Sequence, residues 1–243
     1  MQNGLSKFLI PVAVLFLASQ PALAQAHKTP AKPAPAKPAH EAHDSEDDEP
    51  PFKVTGGGKI PTGWTARVER DGPIANVKFE PTANGWHSRT ASSVMLYRAS
   101  DDARGNYKVT ITFEQTEGSP GHAEPYGLIL GAAGLKADAA HQRYTSFTIR
   151  GDGKFQIRRR AAGKGTDVTN GAVESGKLHK MDEQGRRSNE LSVVVGPTDV
   201  QFLINGAEVH RAKRGEVDTD GIVALRISHN LDLNITDFKV IQG

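Results

Sequence analysis

The acidic run Glu216-Val217-Asp218-Thr219-Asp220 is the first place in this sequence where residue type and spacing point to chemistry. Retaining glycosidases use two carboxyl groups about 5 Å apart. Acids at alternate positions of one strand supply that pair, because alternate side chains share a face. Here the third acid is Asp and the run abuts Gly221, so it reads as a turn ahead of a strand and no catalytic residue is assigned. Asp218-Thr219-Asp220-Gly221 also echoes half of a calcium loop, but further oxygen ligands at fixed offsets and a closing Glu are missing. Calcium therefore has no support, and no cofactor is expected. No Gly-x-Ser-x-Gly elbow is present, and Gly163-Lys164-Gly165 lacks the spacing of a phosphate loop. His87, His122, His141, His179, His210 and His229 are scattered without the paired spacing of a zinc site. They read as surface or loop residues, and no metal ligand is assigned.

The stronger candidate is a face rather than a motif. Tyr144 to Arg150 and Lys154 to Arg160 flank Gly151-Asp152-Gly153 and read as a hairpin, the two glycines offering the positive φ that tight loops need. Phe147, Ile149, Phe155 and Ile157 then share the core side. Tyr144, Ser146, Thr148, Gln156, Arg158 and Arg160 share the other. Arginine forks bind carboxylates or sulfates, and tyrosine rings stack on sugar faces. Tyr144, Gln156, Arg158 and Arg160 are therefore the candidate ligand residues, against the plainer reading of a solvated sheet face. Trp64 and Trp86 could form a sugar platform, although burial of at least one is expected.

The elements that must position these residues are strands throughout. Tyr107, Val109, Ile111 and Phe113 alternate with Lys108, Thr110, Thr112 and Glu114. Tyr126-Gly127-Leu128-Ile129-Leu130-Gly131 is a short apolar strand. Glu190 to Gly196, Asp199 to Ile204 and Ala207 to His210 form successive hairpins around Pro197-Thr198 and Asn205-Gly206, the latter a strong two-residue turn signal. Gly221 to Ser228 and Leu231 to Val240 close the chain. Helical turns are plausible only at Asp101–Ala103 and Ala137–His141. Many strands with short Gly/Pro-rich turns predict an all-β sandwich or barrel. Thr166 to Ser188 is left open, as a loop over a groove or an ordinary excursion.

Three segments carry a resemblance: Gly105 to Phe113, Tyr144 to Ile157, and Asn189 through Gly206 to Leu225. Their order resembles the concanavalin A-like lectin/glucanase superfamily, and within it the secreted domains grouped with 3-keto-disaccharide hydrolases, over roughly Trp64 to Val240. The resemblance implies an all-β, two-sheet antiparallel jelly-roll sandwich, with any ligand on the concave sheet. Such folds host lectins, hydrolases and adhesion modules alike. The reading carried forward is a non-catalytic glycan-binding module. The alternatives are a glycoside hydrolase acting on a disaccharide-like substrate, for which Glu114, Glu124 and Asp152 are available acids, and a structural or adhesion module that binds a protein.

The N-terminus predicts export. Lys7 precedes the apolar stretch Phe8–Ala18, too short for a membrane span, which needs about 20 apolar residues. Small residues follow at Ala22-Leu23-Ala24 and Ala24-Gln25-Ala26, as a signal peptidase requires. Residues 1–26 are thus expected to be a cleaved bacterial signal peptide, leading to periplasm or medium, with no membrane span in the mature form. Residues 27–51 read as a tether. A Pro/Ala/Lys run is followed by Glu41, Asp44, Glu46, Asp47, Asp48 and Glu49, a composition that cannot build a core. His40 and His43 beside those acids lack a defined metal geometry. Residues 52–243 are the expected sandwich. The chain has no cysteine, which excludes disulfides and thiolate chemistry. Its net charge of +2 falls short of a nucleic-acid binder. A glycan or cell-envelope polysaccharide is the expected partner class.

Overall fold

Alternating side chains need a partner layer on their apolar side, and two antiparallel sheets supply it. In the computed structural model the described residues are 51–117, 123–184 and 186–243. The expected leader and all but the last residue of the expected tether lie outside them. Glu49–Gly243 form one compact unit.

Among the described residues fifteen strands follow in order: β1 (Thr65–Val68), β2 (Val77–Thr82), β3 (Gly85–Thr90), β4 (Val94–Ala103), β5 (Tyr107–Glu117), β6 (Tyr126–Ala133), β7 (Arg143–Ile149), β8 (Lys154–Ala161), β9 (Lys164–Asp167), β10 (Val173–Glu174), β11 (Arg187–Val195), β12 (Asp199–Ile204), β13 (Ala207–Lys213), β14 (Gly221–Ile227) and β15 (Leu231–Gln242). The first sheet runs β1-β4-β14-β6-β7-β8-β10, with β9 also on β8. The second runs β13-β12-β11-β5-β15-β3-β2. Neighbours pair antiparallel in both. The architecture is the two-sheet jelly-roll sandwich that the sequence predicts.

The core is built from the expected faces. Val109, Ile111 and Phe113 of β5, Leu191 and Val193 of β11, and Phe202 of β12 meet Leu128, Phe147, Ile157 and Leu225 of the first sheet. Phe147 and Phe202 touch edge to face at 5.3 Å across the layers. Polar groups are enclosed with them, Gln115, Asn189 and Arg187 among them. Arg187 donates to the Tyr126 hydroxyl at 3.0 Å and its guanidinium faces that ring. Burial pushes the Tyr126 phenol up, outweighing Arg187.

Some local expectations are corrected and others hold. Asp101–Ala103 is the end of β4, paired with Gly221 and Ile222 of β14, and makes no helical turn. Ala139–His141 is a short 3-10 turn capped by the Asp138 carboxylate. In the β7–β8 hairpin only Gly153 takes positive φ, while Gly151 does not. Asn205 and Gly206 both take it, as their turn requires. Thr166 to Ser188 is partly strand, extending the first sheet beyond β8 through β9 and β10.

The margins are guarded. β2 carries Pro81, β10 is two residues long, and the β12–β13 ladder shifts register between Phe202 and Leu203.

Candidate functional site

Leu96, Leu225, Leu128, Phe147 and Ile157 occupy the core side of five adjacent strands of the first sheet. Their chain neighbours must therefore project from its outer face. The registers assemble those neighbours into rows. One row reads Arg67, Met95, Arg226, Gly127, Thr148 and Gln156, and the next Thr65, Tyr97, Ala224, Ile129, Ser146, Arg158 and Asp167. Tyr144 stands opposite Arg160, which stands opposite Gly165. All four sequence-predicted residues, Tyr144, Gln156, Arg158 and Arg160, thus lie on one outer face.

The face is not the open, solvated surface that alternation alone implies. Met95, Tyr97, Ile129, Tyr144 and Ala224 form a second hydrophobic cluster, separate from the core, with Tyr144 only 6% exposed. Tyr144 is therefore a floor residue whose ring is not available as an exposed stacking platform. Burial pushes its phenol pKa up; Glu69 adds to that push, while Arg226 and Arg160 oppose it.

Charge is organised around that floor. Glu69, on the turn after β1, accepts two hydrogen bonds from Arg226, from Nε at 3.0 Å and Nη2 at 3.1 Å. Burial raises the Glu69 carboxyl, but Arg226, with Arg160 and Arg67, outweighs it and holds the group below the usual carboxylate range. Farther along, Asp167 accepts from Gln156 Nε2 at 2.8 Å and lies 2.9 Å from Arg158 Nε. That Arg158 contact is an ion pair off the hydrogen-bond line, since Nε has no geometrically sound partner, and neither does the buried Nε of Arg160. Four arginines (67, 158, 160 and 226) thus share the face with two carboxylates (69 and 167). Such a surface can fix an anionic group by forked hydrogen bonds.

Arg67, Glu69, Tyr97, Asp167 and Arg226 are site residues that inspection of the hairpin alone does not find. Parity within each strand places Arg67 and Arg226 on the polar side. Their meeting with Arg160 depends on pairings among β1, β4, β14, β6, β7 and β8, which no local pattern encodes.

The other candidates disperse. Glu216 lies in a 3-10 turn, and Asp218 and Asp220 stand just before β14. Asp218 accepts from Arg159 Nε at 2.8 Å, and Asp220 from Arg214 Nη2 at 2.9 Å. Glu114 accepts from Asn234 on the second sheet, Glu124 lies 3.3 Å from His229, and Asp152 accepts from Arg150 in the β7–β8 turn. These three acids sit in three separate places. His87 and His210 belong to strands β3 and β13 rather than to loops, and His122 lies outside the described residues. Among the described residues no three His, Asp or Glu side chains gather to hold a metal ion. Trp64 and Trp86 pack edge to face at 5.0 Å and both are half-buried.

No protein-family model and no curated protein matches the chain. Solved structures do resemble it. A carbohydrate-binding module, CBM66 from Bacillus subtilis, superposes with a TM-score of 0.53 at 12% identity, over 74% of this chain and 96% of that one. A Bacillus subtilis protein of unknown function with a galectin-like fold superposes with a TM-score of 0.54 at 13% identity, over 74% and 89%. At such identities the likeness is one of fold alone, a two-sheet jelly roll.

Proposed function

We propose that this chain is an exported, non-catalytic glycan-binding module on a flexible tether, and that its ligand is an acidic glycan held on the outer face of the first sheet. The observation that carries this reading is the placement of Arg67, Arg158, Arg160 and Arg226 on one face over a buried Tyr144–Tyr97 floor, where Glu69 and Asp167 pair with two of them and Glu124 also acts on Arg226. Guanidinium forks match carboxylate and sulfate oxygens in pairs. The fold shared with a carbohydrate-binding module supports the same reading. The signal-type leader and the Pro/Ala/Lys then acidic segment support delivery to the periplasm or medium on a tether.

The test is binding of the purified protein to a panel of neutral, uronate-bearing and sulfated oligosaccharides, with and without calcium, beside an Arg158→Ala/Arg160→Ala variant. Binding to the acidic members that the variant loses, and that added salt weakens, is the expected result. Binding that ignores both the variant and the salt would place the ligand elsewhere. No binding to any member would favour a protein partner or turnover of a small glycoside.

A further inference from the structure

A pocket separate from the arginine face lies on the second sheet, where β3 begins beside β15. It has a volume of about 380 Å³ and is lined by Asn84, Gly85, Trp86 and the β15 stretch Ile235 to Lys239. That volume lies near the lower bound of small-molecule sites, roughly 300–1,000 Å³. Its aromatic wall is held rigidly. Arg98 donates to Asp101 at 2.8 and 2.9 Å and lies 4.6 Å over the Trp64 ring. Trp64 packs against Trp86 at 5.0 Å and Phe238 at 5.5 Å.

The polar rim is set by a break in the β5–β15 ladder. The register shifts between Thr236 and Lys239, and Asp237 there adopts φ +56. Bulges of this kind re-aim side chains. Asp237 and Lys239 are both well exposed, and their charges cancel at 3.5 Å. Gly85 permits the close approach of β3 to this bend: a Cβ there would sit 1.9 Å from the Ile235 carbonyl oxygen.

We propose that this pocket is a second ligand site, independent of the arginine face, and that it takes an uncharged sugar ring. The C–H face of a pyranose packs on Trp86 and Phe238. Its hydroxyls donate to Asp237 and accept from Lys239 and the Asn84 amide. An ammonium–carboxylate pair of zero net charge gives no advantage to an anionic ligand, in contrast to the four arginines of the first sheet.

The molecule contains a built-in reporter. Its only two tryptophans are Trp64 and Trp86, so all indole signal originates beside this pocket. The experiment titrates the full-length protein with cellotriose, xylotriose and mannotriose up to about 10 mM, tenfold above a weak Kd of about 1 mM. The readouts are the two indole N–H resonances and tryptophan emission. At least one sugar should shift them saturably. Affinity should fall about tenfold, the loss of a charge-assisted hydrogen bond, in Asp237→Asn/Lys239→Ala. Asn tolerates the left-handed backbone at 237, and both sites are exposed, so this variant keeps the fold. Arg158→Ala/Arg160→Ala should leave the response unchanged. Silence of both readouts with all three sugars would overturn the proposal. So would a response that survives Asp237→Asn/Lys239→Ala, or one abolished by Arg158→Ala/Arg160→Ala. None of these outcomes bears on acidic-glycan binding at the arginine face, which stands or falls separately.

Discussion

The outer faces of the two sheets start from the same rule and end differently. On the second sheet the outward positions of β5 are Lys108, Thr110, Thr112, Glu114 and Thr116, all at least partly exposed. Neighbouring strands add Ser192, Glu190 and Asn234, whose side chains pair locally, Ser192 with Glu190 and Asn234 with Glu114, both at 2.9 Å. Ser192 and Asp232 are the buried members, and Asp232 is a carboxylate that accepts from Arg89 and Thr116 and lies 2.7 Å from His87 Nε2. On the first sheet the outward positions include Met95, Tyr97, Ile129 and Tyr144, and these are buried. The sequence difference is visible strand by strand. β5 alternates cleanly, while Leu128-Ile129-Leu130 in β6 is apolar at both parities, the mark of a strand covered on both sides. A face that buries aromatic and aliphatic side chains beneath arginines is suited to holding something, and a face of short hydroxyls is suited to water.

That contrast can be broken at named residues. Tyr144→Ala should have the largest effect, about 3 kcal/mol of lost stability by urea titration, because it empties a packed floor position. A loss as small as that of a surface threonine would end the distinction between the faces. Glu69→Gln should cost about 2 kcal/mol, less than a fully buried pair since both partners are half-buried. The same change should tighten binding of uronate-bearing oligosaccharides several-fold, by releasing Arg226 from its internal carboxylate. It should also alter the pH profile. The Glu69 carboxyl is depressed in the folded chain and ordinary, at about 4.3, in the unfolded chain. Its contribution is therefore complete above that value and is lost as pH falls through the depressed folded value. Glu69→Gln should flatten this part of the acid limb measured by circular dichroism. Asp232, depressed by its bonds to Thr116, His87 and Arg89 against the opposing effect of burial, acts with the same sign and remains. Arg158→Ala/Arg160→Ala should shift stability by no more than about 1 kcal/mol, since both side chains are only half-buried on the outer face, and should act on binding instead. Thr112→Ala should be the smallest, within about 0.5 kcal/mol on the same urea curve.

The strands were legible because alternation is local. The β7–β8 hairpin, the Asn205-Gly206 turn and the core parity of β5 follow from windows of a few residues, and the hairpin brought Tyr144, Gln156, Arg158 and Arg160 into view together. The rest of the face was not legible, because it is assembled across strands far apart in sequence. Glu69 reaches Arg226 over a separation of 157 residues, and no spacing within either segment announces the other. Burial of Tyr144 was missed for a related reason: parity says which side a residue takes, not whether that side is covered. Asp101–Ala103 was misread because two aspartates suggest a turn, whereas the pairing of Asp102 with Ile222 and of Ala103 with Gly221 keeps the segment extended.

The sheet margins have a consequence for how this molecule tolerates its own neighbours. With no cysteine, it has no covalent staple to restore strand order after a partial opening. An unpaired strand edge invites a second copy to dock by backbone hydrogen bonds. Pro81 withholds a donor from the β2 edge, β10 offers only two residues, and the register shift beside β13 interrupts a straight template. Concentrated solutions should therefore resist fibre growth, and Pro81→Val, which adds one outward donor beyond the Phe79 N–H already taken by Lys59, would weaken that resistance.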